Sequence, residues 1–160
     1  MQAVSDWTRL LGMPDVLAAS DVALMASRGA RYHHDSARYG AFVFCNLFLS
    51  QDTGQDLHFP CTGQRIPLVR GTVVVFDTGQ PHAVVKRHGR GFDVADFPPG
   101  QDCIQVFLTW ELPIINDHVR QTLRIGLDID PAPSSCQPDG EQVCLNGAPV
   151  RLCPNTGRLY

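Results

Sequence analysis

The spacing of apolar positions along this chain changes early. Asp6 to Leu11 carries a short helical pattern, and a second follows Pro14, with Asp15 in its first turn and an end near Ser20. From Asp21 onward the texture is that of strands. "DVALMASRGARYHHD" is rich in β-formers and broken at Gly29. "YGAFVFCNLFLS" is an aromatic-rich run too short and too β-prone for a helix. "QDTGQD" reads as a turn, "LHFP" as a short strand stopped by Pro60, and "CTGQR" as another turn leading into "IPLVRG". The clearest strand is "TVVVFDTG", a β-branched run with an aromatic and then a glycine turn. "PHAVVKR" follows at once. A loop containing Gly89, Gly91, Pro98, Pro99 and Gly100 then leads to "CIQVFLTWEL", a long buried strand. The pattern of "NDHVRQTLRIGLDI" predicts a helix with Asn116 as its N-cap. Near the end, "VCLNGAPVRL" predicts a hairpin turning at Asn146-Gly147.

Seven or eight strands at short spacing, flanked by a little helix, predict an all-β sandwich or barrel. Nothing divides the chain, so residues 1–160 read as one domain, with a core over about 21–112 and a C-terminal helix and hairpin over 113–160. The composition, 44% hydrophobic and 18% charged, fits a globular protein. A net charge of -3 offers no general attraction to nucleic acid or to acidic membranes, so neither is an expected partner. No apolar run approaches the roughly 20 residues that span a bilayer. The first residues lack the basic and apolar regions of a secretory signal, which makes the cytoplasm the expected compartment. None of the six cysteines forms a C-x-x-C pair, and Cys136, Cys144 and Cys153 read as buried or half-buried thiols. A homodimer that covers a sheet edge is one open possibility for assembly.

The chemistry concentrates in "RYHHDSARYG". Alternate side chains of a strand share a face, so His33 and Asp35 point one way and His34 the other. A third ligand is best supplied by His82, which follows a strand and the tight turn "TGQP" and opens another strand. Two imidazoles and one carboxylate on one face of an octahedron leave positions open, an arrangement suited to non-haem Fe(II). A structural zinc site closes all four of its positions instead. His34, His88 and His118 read as surface residues. His58 reads as an outward residue or a neighbour of the site, and Trp110 as a packing residue.

In order and spacing these segments resemble the Fe(II)/2-oxoglutarate-dependent oxygenase superfamily in its compact, prolyl-hydroxylase-like form. "GARYHHD", "NLFLSQDTGQDLHFP" and "IPLVRGTVVVFDTGQPHAVV" carry the resemblance, over roughly residues 21 to 112. It implies a double-stranded β-helix (jelly roll) core, with His33, Asp35 and His82 as ligands to Fe(II). It further implies 2-oxoglutarate as co-substrate, with ascorbate as a possible reductant, and hydroxylation of a small-molecule or peptidyl C–H bond. The family holds the distal carboxylate of 2-oxoglutarate with a cation after the last histidine. At the start of "CIQVFLTW" that position is occupied by Ile104 or Gln105, so Arg90 and then Arg87, in "KRHGR", are the candidates. The tyrosine often found on the strand after H-x-D is replaced by Phe48, and Asn46 on the same face is a candidate for co-substrate binding. Two alternatives stay open: a cupin-type metal protein acting without 2-oxoglutarate, and a non-catalytic jelly-roll binding module.

Overall fold

A computed structural model of the chain describes residues 2–13, 15–35, 41–125, 142–145 and 148–160. It opens with helix α1 (Gln2–Leu10) and a 3-10 turn at Val16–Ala19. Eight strands follow: β1 (Ala23–Ser27), β2 (Ala30–His33), β3 (Phe42–Phe48), β4 (Gln55–Phe59), β5 (Gln64–Pro67), β6 (Val73–Phe76), β7 (His82–Lys86) and β8 (Gln105–Pro113). Helix α2 (Asp117–Leu123) comes next, and then β9 (Gln142–Leu145) and β10 (Ala148–Arg151). Asn116 caps α2 as its sequence predicts, its side-chain oxygen accepting from the backbone N–H groups of His118 and Val119. Strands β9 and β10 pair with Leu145 opposite Ala148, while the predicted turn residues Asn146 and Gly147 lie outside the described residues.

Strands β1 to β8 form two antiparallel four-stranded sheets, one in the order β1-β8-β3-β6 and the other in the order β2-β7-β4-β5. Strand alternation sorts their side chains into three layers. On one face of the first sheet, Val43, Cys45, Trp110 and Leu112 pack with Val4, Val16 and Val119 from the helical segments and with Met13 from the link between the first two. Trp7 meets Trp110 edge-on at 5.5 Å. The next layer lies where the two sheets meet, and contains Phe48, Leu57, Phe59, Leu68 and Val74 with Ile66, Phe76, Val84 and Phe107 around them. On the far face of the second sheet, Tyr32, Ala83 and Val85 are covered by Leu152, Phe92 and Leu159. The C-terminal tail is held there by backbone hydrogen bonds from Tyr32 N–H to the Pro154 carbonyl and from Phe92 N–H to the Asn155 carbonyl. No described helix is long and apolar enough to cross a membrane.

Three elements differ from the sequence pattern, the first being α1, which begins at Gln2 rather than near Asp6. Gln55 and Asp56 belong to a strand rather than to the preceding turn, and Gln64 and Arg65 open β5 rather than closing a turn. Both segments look like turns because their polar side chains have specific uses in the sheet. Gln55 is fully buried, and Asp56 lies between Arg65 and Arg87.

The tail's packing has a test in two glycines of the same backbone class. Gly157 and Gly63 both have positive φ, but a Cβ on Gly157 falls 2.7 Å from Pro60 and 2.8 Å from the Tyr32 ring, whereas Gly63 faces open space. Gly63→Ala is expected to cost about 1 kcal/mol, and Gly157→Ala about 2–4 kcal/mol because overpacking is added to the backbone term. Chemical denaturation of the two variants measures the difference, and equal costs would mean that the tail does not seat as described.

Candidate metal centre

Strand β2 pairs antiparallel with β7, and the register places His33 directly opposite His82. The two imidazole rings lie 4.4 Å apart, centroid to centroid. Asp35 follows two residues after His33, beyond the strand end, where its backbone N–H donates to the Thr78 carbonyl at 2.8 Å. One ligand atom from each of His33, Asp35 and His82 lies within 4.8 Å of the others. The three residues singled out as ligands in the sequence are thus brought together.

Hydrogen bonding also sets the chemistry of the two rings. His33 Nδ1 lies 2.6 Å from the Arg31 carbonyl, and His82 Nδ1 lies 2.8 Å from the Gln80 carbonyl. A carbonyl only accepts, so each Nδ1 carries a proton and each neutral ring keeps its lone pair on Nε2. Backbone carbonyls that orient imidazoles in this way are the usual outer partners of metal-bound histidine. His33 Nε2 faces Asp35 Oδ2 at 3.8 Å. Two donors about 2.1 Å from one ion stand about 3 to 4 Å apart, so the spacing suits a shared cation. His82 is 6% exposed. Burial, reinforced by the neighbouring His33, lowers its pKa from 6.5 to about 4, which leaves the ring neutral and ready to ligate at pH 7.

Aromatic side chains surround the triad. Phe76 meets the His82 ring edge-on at 5.0 Å, and Phe59 lies 6.3 Å from it. Neither was singled out in the sequence, although both end strands that lead to this corner of the sheets. His58 is directed elsewhere, with its Nδ1 2.5 Å from the Tyr32 hydroxyl. The sequence pattern places His34 on the surface, but it is 3% exposed. His34 lies just past the end of β2, beside Asp35, whose N–H donates to the carbonyl of Thr78, itself 1% exposed. His88 and His118 are exposed, as expected.

The three candidate co-substrate residues are scattered. Asn46 shares a sheet face with Phe48 and Val74, and its Oδ1 is buried with no hydrogen-bond partner. Arg87 has the opposite strand parity to His82. Its guanidinium binds Asp52 through two bonds of 2.7 and 2.8 Å and Asp56 through one of 2.9 Å. These bonds hold the Asp52 carboxyl below the usual carboxylate range. Alternation carries Arg90 to the ligand face only if β7 runs on. The strand ends at Lys86, where the Gly89 N–H turns back to the Lys86 carbonyl, and Arg90 is exposed. At the start of β8, Gln105 is fully buried and donates to Thr53 Oγ1 at 2.6 Å and to the Leu68 carbonyl at 3.2 Å. Lys86 shares the parity of His82, but Val84 stands between them and its Nζ donates to the Thr53 carbonyl at 3.2 Å.

Comparison with protein-family models, curated proteins and solved structures finds no match for this chain.

Two outcomes follow from these electrostatics. Between pH 6.5 and about 4 the unfolded chain protonates His82 while the folded chain does not. The His82 contribution to the stability of the metal-free protein, about 3 kcal/mol, is therefore complete above pH 6.5 and is lost as pH falls through 4. Denaturation curves across this range should be flatter for His82→Gln than for the parent chain. Arg87→Ala should cost about 2–3 kcal/mol, because it strips a partner from Asp56, whose side chain is 4% exposed. The same variant should leave metal affinity unchanged, and a large loss of affinity would tie Arg87 to the triad.

Proposed function

We propose that this chain is an Fe(II)-dependent oxygenase built on a jelly roll, with 2-oxoglutarate as co-substrate and a small molecule or peptide as substrate. The observation that carries the proposal is the convergence of His33, Asp35 and His82, with both imidazole Nδ1 atoms tied to carbonyls and the Nε2 lone pairs left free. The strand orders β1-β8-β3-β6 and β2-β7-β4-β5 support the jelly roll, since they are those of an eight-stranded ribbon folded into two sheets. A ligand set of two histidines and one carboxylate suits Fe(II) with open positions, and the ion there supplies binding and activation of dioxygen.

The protein's residues do the remaining work. His33 and His82 keep their lone pairs aimed by donating Nδ1–H to fixed carbonyls, so little reorganisation accompanies metal binding. Asp35 supplies the charge that fixes a divalent ion, on a backbone secured by Thr78. Phe59 and Phe76 cover the His82 side of the site and limit access of water. Asn46 contributes an amide on the same sheet face as Phe48.

A second reading is favoured by one specific observation. Arg87 is committed to Asp52 and Asp56, and Arg90 is exposed beyond the end of β7. With both candidate cations turned elsewhere, a cupin-type Fe(II) protein that acts without 2-oxoglutarate fits the same triad.

The deciding experiment incubates the chain with Fe(II), 2-oxoglutarate, ascorbate and dioxygen and measures succinate. Succinate formation that is lost in Asp35→Ala and His82→Ala is the expected result. Triad-dependent iron binding without succinate would replace the proposal with the second reading. Iron binding that survives both substitutions would overturn both.

A further inference from the structure

Strand β8 carries an acid in an otherwise apolar and aromatic run, "VFLTWELP". Trp110 and Leu112 turn into the core beneath the helices, so Glu111 between them turns to the face where the two sheets meet. There it is the direct partner of Phe44 on β3. The Phe44 ring lies 6.5 Å from Phe76, and the Phe76 ring lies 5.0 Å from His82. Two ring-to-ring steps therefore connect the metal ligands to the strand position opposite Glu111. No ion pair or hydrogen bond engages the Glu111 carboxylate among the described residues. One step further along the same face, Asn46 pairs with Thr109, and the Asn46 Oδ1 is buried with nothing donating to it.

We propose that the substrate of this site is an organic cation, an amine or a guanidinium, and that Glu111 is the residue that selects it. The inference rests on the triad being the metal centre and adds the substrate's chemical class. The strip that runs from the triad along this face combines Phe76, a carboxylate with no partner among the described residues and, one step further, an unsatisfied amide oxygen. All of these attract N–H donors and positive charge, and the carboxylate repels an anion. Cross-strand partners stand about 5 Å apart at Cβ, so a cation held by Glu111 lies one strand away from Phe44 and two from Phe76. Its attached carbon chain then extends past Phe76 toward the open coordination positions. Glu111 is thus a specificity residue: it fixes the charged end while the other end meets the metal.

The test uses n-pentylammonium as the probe and 1-pentanol as its uncharged counterpart, each mixed with the full chain loaded with Mn(II). Mn(II) in the triad broadens the proton signals of any molecule held beside it. Broadening of the ammonium should saturate at concentrations about tenfold lower than for the alcohol, and Glu111→Gln should erase that preference. Glu111→Asp should retain part of it, and thermal unfolding confirms that each variant is folded. Should Glu111→Gln fail to fold, the comparison of ammonium with alcohol and with acetate on the parent chain decides the matter. Equal affinity for amine and alcohol, preference for acetate, or a Glu111→Gln variant that behaves as the parent would each overturn the proposal. If Mn(II) binds with full dependence on Asp35 while these outcomes occur, the metal centre stands and only the substrate class falls. If Mn(II) does not depend on the triad, both fall.

Discussion

The candidate centre depends on one antiparallel pairing, that of β2 with β7. Its register sets His33 opposite His82 and delivers two imidazoles to one spot. A slip by one residue would turn one ring to the opposite face, because strand side chains alternate with a period of two. Several features guard the register. The Gly79 N–H is bound by the Asp77 carboxylate within the β6–β7 turn, and the Gln80 carbonyl at the end of that turn orients the His82 ring. Thr78 in the same turn holds the backbone of Asp35. One tight turn therefore positions two of the three candidate ligands, one through a side chain and the other through the main chain.

The face shared by the two sheets carries polar groups at both of its ends. His33, His82, Phe59 and Phe76 gather at one end, with Phe44 beside Phe76 and Glu111 paired across from Phe44. At the other end, Gln55, Gln105 and Thr53 satisfy part of one another's hydrogen-bonding needs, and Lys86 closes on the Thr53 carbonyl. The apolar cluster around Phe48, Leu57 and Val74 separates them. Charges that serve the fold lie on the other face of the second sheet, where Arg65 and Arg87 neutralise the buried Asp56. Buried ions of this kind cost too much desolvation to be left unpaired, which explains why Arg87 serves Asp56 rather than a ligand.

How much was legible in the sequence follows from the range of the forces involved. The strands of "TVVVF" and "CIQVFLTWEL", the Asn116 cap and the grouping of His33 with Asp35 are local patterns, and each has its counterpart in the structure. His82 was legible because a turn directly before a strand aims its first side chain. The role of Arg87 was not, since its partners Asp52 and Asp56 are more than thirty residues away and only sheet pairing brings them close. His34 was assigned to the surface by strand parity, but it lies past the end of β2, where parity no longer decides exposure, and it is buried. Glu111 carried a readable signal, an acid between two large apolar residues of a buried strand. Its place across from Phe44 depends on the pairing of β8 with β3, which local pattern does not encode.

The most direct measurement of the central claim is X-ray absorption at the iron edge of the Fe(II)-loaded chain. A triad of His33, Asp35 and His82 predicts a six-coordinate ion with two imidazole ligands and oxygen donors filling the rest, and loss of imidazole scattering in His33→Ala. Sulfur in the first shell, or a closed four-coordinate ion, would contradict it and place the metal elsewhere in the molecule.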